Sequence, residues 1–333
     1  MRAQHDVPRY DVVAIGNALM DVIAPVEEAF LSEYAIPKGG MDLIDEARAL
    51  KLDPLLRKGK TTVTAGGSAA NTVAGIAELG LRAAYIGKVA DDDTGREYAR
   101  EMAASGLHFS TTPGSDAPTG RCLIAVTPDG ERSMSTFLGI SPMFTKADVD
   151  DELVRNSDTL YLEGYLFNDE ATKAAFVHAA EVARAANRKV ALTLSDSFCV
   201  DSHRAGFRQL AENQVDILFA NEAEALALFE TDTLYDVVDR LENANTLAFI
   251  TRSEKGALVV EGSYRHEVPA VPVAHVLDTT GAGDQFAAGT LAGLAMGLSP
   301  RDAAHLGCVA ASEVIGHYGP RPERSVHALA LGG

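Results

Sequence analysis

The chain has 333 residues, 47% hydrophobic and 23% charged, a balance that fits a folded globular protein and excludes disordered or low-complexity architectures. Against 47 Asp and Glu stand 29 Lys and Arg, a net charge of −18 that argues against nucleic acid as a partner but leaves a small anionic metabolite open. Cys122, Cys199 and Cys308 are widely spaced without a C-x-x-C pair, and no apolar run is long enough to span a bilayer, so the expectation is a soluble cytoplasmic protein with buried thiols. A first strand is predicted at 12–16, and residues 22–64 read as extended segments with turns. Helical periodicity over 69–79 leads to a strand at 83–89 and a helix over 95–104. Residues 120–139 read as a hairpin turning at Thr127-Pro-Asp-Gly130, a flap suited to a lid. Strands at 159–164, 190–195, 217–221 and 247–251 then alternate with helices over 171–186, 203–211, 222–229 and 235–242. Two helices, 282–296 and 300–315, follow, the second opened by Ser299-Pro300. The length allows one large domain or two unequal ones, and this rhythm predicts an α/β fold with a mostly parallel sheet wrapped by helices.

In such a sheet ligands bind outside the carboxyl ends of the strands. Those ends carry Gly16-Asn17, Gly164, Ser195-Asp196, Asn221 and Thr251, all small or polar.

The most informative stretch is Asp278-Thr279-Thr280-Gly281-Ala282-Gly283-Asp284-Gln285-Phe286. Gly281 and Gly283 allow a tight turn whose free N–H groups converge on an anion at a helix start. Asp284 beside such an anion hole would repel a phosphate unless it accepts a proton from an attacking hydroxyl. Phe286 stands where a dinucleotide fingerprint needs its third glycine. A second cluster, Gly66-Gly67-Ser68-Ala69-Ala70-Asn71, also leads into a helix, and Asn71 offers both donor and acceptor to a hydroxylated substrate. Its plainer reading is a tight turn with Ser68 as N-cap. Gly59-Lys60-Thr61 mimics the end of a P-loop, but Pro54 occupies the place of its first glycine. Glu224, in Asn221-Glu222-Ala223-Glu224, could hold magnesium through water or simply favour a helix dipole. The hydroxyls of Thr251-Arg252-Ser253-Glu254-Lys255-Gly256 could meet phosphates or cap a turn.

Together, and in this order along nearly the whole chain, these motifs resemble the ribokinase-like (PfkB) carbohydrate and nucleoside kinases. The resemblance rests on Gly16-Asn17-Ala18-Leu19-Met20-Asp21, Gly66-Gly67 through Asn71, Asn221 through Glu224, Thr251 through Gly256, and Asp278 through Asp284. It implies one domain over 1–333, a three-layer α/β ribokinase-like sandwich with a small β lid formed by segments of about 22–64 and 120–139, ATP with Mg2+, and transfer of the γ-phosphoryl group to a primary alcohol. By motif position it implies Asp284 as general base and Gly281, Ala282 and Gly283 as anion hole. Asn221 and Glu224 become the magnesium and phosphate network, and Thr251, Ser253 and Gly256 contacts to ATP. Thr119-Gly120-Arg121-Cys122 through Arg132-Ser133 is also similar, so Arg132 corresponds to an arginine that approaches the transferring phosphate. Residues Gly316 through Pro322 resemble a loop that helps bind a monovalent cation such as K+.

Within the family the chain is most similar to the adenosine kinases and their bacterial nucleoside-kinase relatives. That implies a purine ribonucleoside acceptor, adenosine converted to AMP at its 5′-hydroxyl as in purine salvage, with ribose or fructose as the alternative. Asp21, Gly66, Gly67 and Asn71 would then hold the sugar. Phe137, beside Met134 and Leu138, either stacks on the base or packs the lid against the body. The oligomeric state, monomer or homodimer, is left open, and the partners implied are a nucleoside or sugar and ATP.

Overall fold

The structure, a computed structural model, describes residues 9–242, 244 and 246–330. The strands, in chain order, are β1 (Tyr10–Ile15), β2 (Leu19–Pro25), β3 (Met41–Leu43), β4 (Thr62–Gly66), β5 (Ala83–Ile86), β6 (His108–Ser110) and β7 (Thr119–Val126). They continue as β8 (Arg132–Gly139), β9 (Ser157–Glu163), β10 (Lys189–Thr193), β11 (Ile217–Asn221), β12 (Leu247–Thr251), β13 (Ala257–Glu261) and β14 (Tyr264–Val268).

The main sheet has the order β14-β13-β12-β11-β10-β9-β1-β5-β6. From β12 to β6 every pairing is parallel, while β13 and β14 return antiparallel. Its strands are nearly continuous apolar runs, as burial on both faces requires. Val13, Ile15, Leu160, Leu192 and Ile250 pack with Phe176 and Phe207 of helices Glu170–Ala185 and Ser197–Asn213. Their neighbours Val12, Ala14, Tyr161, Ala191 and Phe249 point the other way, onto Val73 and Phe286 of helices Ser68–Glu78 and Ala282–Ala295. The period of two therefore produces the expected three layers. Because β1 lies between β9 and β5, the winding reverses there, and the β1/β9 crevice is where an open α/β sheet accepts a ligand.

A second sheet has the order β3-β8-β7-β2-β4. The β7–β8 hairpin turns where expected, with the Gly130 amide donating to the Thr127 carbonyl at 2.8 Å. Residues 22–64 are not simply extended: helices Glu28–Glu33 and Glu46–Leu56 interrupt them. Asp45 caps the second helix by accepting from the Arg48 amide, and Leu52 and Leu56 bury against Val22, Leu123 and Ala125, which outweighs Pro54 inside it. Strand register sorts this sheet into two faces. Val22, Leu123, Ala125 and Phe137 share the face covered by those helices, whereas Asp21, Cys122, Arg132, Met134, Thr136 and Leu138 share the other.

Three further differences are local. The three-residue β6 is too short for periodicity to announce. The helix expected from 203 begins at Ser197 and kinks at His203, so the pattern marked the kink rather than the start. Cys199 is only partly buried, unlike Cys122 and Cys308. No helix among the described residues is long and apolar enough to cross a membrane.

Candidate active site

At the β1/β9 crevice the chain ties its first two glycine motifs together through Glu163, the last residue of β9. The Asn17 amide and Nδ2 donate to Glu163 Oε1 at 3.1 and 3.0 Å, and the Ala69 amide donates to Oε2 at 2.7 Å. A Cβ at Gly16 would overlap that carboxylate. Burial pushes Glu163 up to about 7, against the pull of the Ala69 and Asn17 donors. Sequence reasoning passed over Glu163, although a charged residue closing an otherwise apolar strand was a usable signal.

Gly67 carries φ +103 and is packed on the Asn17 carbonyl, so only glycine suits the corner from β4 into helix Ser68–Glu78. The first turn of that helix aims two donors at Asp284. Ser68 Oγ donates to Asp284 Oδ1 at 2.6 Å and Asn71 Nδ2 to Oδ2 at 3.2 Å. Ser68 is therefore not the N-cap, a position held by Gly67. Burial pushes Asp284 up to about 6 in spite of these two bonds.

Asp284 belongs to the first turn of helix Ala282–Ala295, whose N-cap Gly281 is left-handed at φ +77 with Pro320 against its Cα. Beside Gly283, by contrast, a Cβ would meet nothing within 4 Å. Asp278 braces the loop by accepting from the Thr280 amide at 3.0 Å and the Gly319 amide at 3.1 Å, and Gln285 Nε2 donates to the Pro320 carbonyl at 2.9 Å. The string 278–284 is thus a helix start opening on unfilled space, with the tail 318–320 behind it.

The second sheet brings its other face to this turn. Arg132, 6% exposed, places Nε 2.8 Å from Asp278 Oδ2 and lies over the Tyr318 ring, while its Nη1 has no hydrogen-bond partner among the described residues. Asp21 is buried on the same face, and Gly66 must lack a side chain because a Cβ would overlap the Asp21 carboxylate. Burial pushes Asp21 up to about 7, Arg321 and then Arg132 pull it down, and Asp284 pushes it up. Arg321, which sequence reasoning noted only as part of a tail, donates to the Ala65 carbonyl. Phe137 is corrected: it lies on the helix-covered face among Val22, Leu52 and Leu123, opposite to Asp21. Period-two alternation forces this, since adjacent residues of a strand face opposite ways. Aromatic surface at the rim comes instead from Tyr165, whose hydroxyl is pushed up by burial and then by the nearby Asp196 and Asp284, and from Phe198, 72% exposed in the first turn after β10.

Asn221 and Thr251 are register partners at the ends of β11 and β12. Asn221 and Glu224 form a reciprocal capping box: both Glu224 oxygens accept from Asn221, at 2.9 and 2.6 Å, and Asn221 Oδ1 accepts from the Glu224 amide. Burial, then Asp196, pushes Glu224 up to about 7. Ser253 holds φ +52, a left-handed conformation that favours glycine, and Arg252 pairs with Glu222 and Glu267. At Gly256 a Cβ would overlap the Val268 carbonyl. None of these residues lines the cavity of about 660 Å³ next to the 278–284 string, walled by Val273, Leu277, Val309, Glu313, Gly316 and His317. Its walls come from the irregular segment after β14 and helix Pro300–Val314, neither of which carries a motif, and from the start of the loop 316–322.

Among the described residues no three His, Cys, Asp or Glu side chains form a ready metal cage. What the rim offers is a fit for a phosphorylated ligand that brings its own metal: an open cradle at Gly283, a buried guanidinium with a free donor, and Glu224 and Asp196 within reach of each other's field.

The pattern of the pfkB family of carbohydrate kinases matches residues 10–325. Adenosine kinase from Sinorhizobium meliloti is 46% identical, superposes with a TM-score of 0.88, and the match covers 97% of this chain and 99% of that one. A probable sugar kinase from Rhizobium etli CFN 42 is 42% identical at the same TM-score, covering 98% of both chains. Adenosine kinase of Saccharomyces cerevisiae is 27% identical over 329 residues, 93% of this chain and 96% of its own length. With the three-layer fold, the Gly66-Gly67 corner and the Asp278–Asp284 turn in one crevice, the chain belongs to the pfkB family of carbohydrate kinases, phosphotransferases that act on an alcohol group.

Proposed function

We propose that this protein transfers the γ-phosphoryl group of ATP to the 5′-hydroxyl of a purine ribonucleoside, adenosine first, giving AMP. The observation that carries the reading is the buried Asp284 carboxylate, held by Ser68 and Asn71 at the mouth of a helix that opens on free space at Gly283. With burial setting it near 6, Asp284 is mostly ionised at neutral pH and basic enough to accept the acceptor's hydroxyl proton. The amides of Gly281, Ala282 and Gly283 meet the transferring phosphoryl oxygens, and Arg132 turns its unpaired Nη1 to the same charge. Asp21 and the partnerless Asn71 Oδ1 accept sugar hydroxyl protons, and Gly66 and Gly67 let the sugar approach the backbone. Tyr165 and Phe198 supply the apolar wall a purine requires, in place of Phe137.

The cavity beside Leu277 and Gly316 suits the nucleoside part of ATP, with Thr251, Ser253 and Gly256 toward its phosphates. Bound with ATP, Mg2+ neutralises phosphate charge; Asn221 and Glu224 would hold it through water. The loop 316–322 is proposed to take a monovalent cation, the second sheet to act as a lid of one domain, and the cytoplasm to be the compartment. Measuring kcat/KM for adenosine, inosine, ribose and fructose with ATP and magnesium tests this. Adenosine should rank first; a free sugar above every nucleoside overturns the acceptor and supports the sugar-kinase reading, which the likeness to the Rhizobium etli protein favours.

A further inference from the structure

We infer that Ser68 is a positioning residue that orients Asp284 and holds it ionised for proton transfer, an inference that rests on the reading of Asp284 as general base. Ser68 is the first residue of its helix, where a hydroxyl would ordinarily serve the local backbone. Instead its Oγ reaches 216 positions along the chain to Asp284 Oδ1 at 2.6 Å. An ionised carboxylate accepts only, so the hydroxyl is the donor.

The contact is rigidly supplied. Gly67 is wedged on the Asn17 carbonyl, and the Ala69 amide next to Ser68 is held by Glu163, so the helix start has little freedom to move. One turn on, Asn71 Nδ2 engages the other oxygen at 3.2 Å. Ser68 and Asn71 together fix the plane of the carboxylate and take two of its roughly four lone-pair sites, leaving the rest for an acceptor hydroxyl.

The surroundings make these donors matter. The groups facing Asp284 are Asp21 from β2, Glu163 and Tyr161 from β9 and Tyr165 from the turn after it, all shifted first of all by burial and all held further toward their protonated forms by the charge of Asp284. The cations Arg132 and Arg321 act on Asp21. Burial favours the proton on Asp284, and the hydrogen bonds from Ser68 and Asn71 oppose it.

The test is a kcat/KM profile from about pH 5 to about pH 9 on the full-length protein, with adenosine and ATP-magnesium. It compares the parent with Ser68→Ala, Ser68→Gly, Ser68→Thr and Asp284→Asn. Loss of the hydroxyl should raise the acid limb by about one pH unit, lowering the rate about tenfold near pH 5, about fivefold near pH 6 and less than about threefold near pH 9. Ser68→Thr keeps the hydroxyl and should keep the parent's limb. Two hydroxyl-free variants guard against one that folds poorly. A limb that stays in place in Ser68→Ala and Ser68→Gly, with activity merely lower at every pH, overturns the inference. In that case a loss of about 100-fold or more in Asp284→Asn still leaves the base in place. An Asp284→Asn protein within about threefold of the parent overturns the base and this inference together.

Discussion

The two walls of the crevice are built in opposite ways. On the side proposed for the phosphates, Asp278, Gly281, Gly283 and Asp284 lie within seven residues at one helix start, and their backbone geometry follows from their own chemistry. On the side proposed for the acceptor, Asp21 and Gly66 come from two different strands of the second sheet and Arg321 from a distant tail, while Arg132, from a third strand, reaches across to Asp278. The first wall survives or fails by single backbone positions, whereas the second depends on strand register. Substitutions on the phosphate side should therefore stop chemistry outright, and those on the acceptor side should redistribute specificity and stability.

The largest effect is expected for Asp284→Asn, with kcat/KM down about 100- to 10,000-fold while ATP binding by calorimetry stays within about threefold. Its pKa, raised from 3.8 to about 6, also has a consequence for stability. The folded state binds this proton more tightly, so its contribution is present below the unfolded value and is lost as pH rises through about 6. Replacing the carboxylate should hence leave the Tm near pH 8 equal to or above the parent's; a large fall would mean that the charge stabilises the fold. The parent's own kcat/KM should drop on the acid side of about pH 6, since protonated Asp284 cannot serve as base.

Gly283→Val comes next. Its side chain would enter the open space in front of the turn, so turnover and ATP affinity should both fall, each by about tenfold or more. Intact ATP binding would show that the phosphates lie elsewhere.

On the acceptor wall, Phe198→Ala should cost nucleosides about tenfold or more in kcat/KM and spare residual ribose use. Phe137→Ala should leave that ratio unchanged and lower stability by about 1–2 kcal/mol, because Phe137 packs in the sheet's own apolar cluster. A reversed pattern would restore Phe137 as the stacking residue. The smallest effect is expected for Glu224→Gln, a roughly twofold to fivefold rise in the magnesium concentration for half-maximal rate. An unchanged magnesium titration would leave Glu224 as a helix cap alone, the role its capping box already performs.

By itself the amino-acid sequence determined the alternation of strands and helices, the hairpin at 120–139, and the two glycine turns, because each depends on contacts within a few residues. Asp284 stood out as a candidate base for the same reason: a carboxylate beside a glycine-rich helix start is a local pattern with few other uses. The two helices within residues 22–64 were not, since Pro54 opposes one locally and only burial of Leu52 and Leu56 under the second sheet stabilises it. Nor was the side of the sheet on which Phe137 lies, because a one-residue step in register exchanges every side chain between faces. Glu163, Ser68 and Arg321 acquire their partners 94, 216 and 256 positions away, separations that no local pattern encodes. Those pairings, like the walls of the cavity beside Leu277, were decided only when packing brought the β1/β9 crevice, the second sheet and the tail together, since burial and charge act through space and not along the chain.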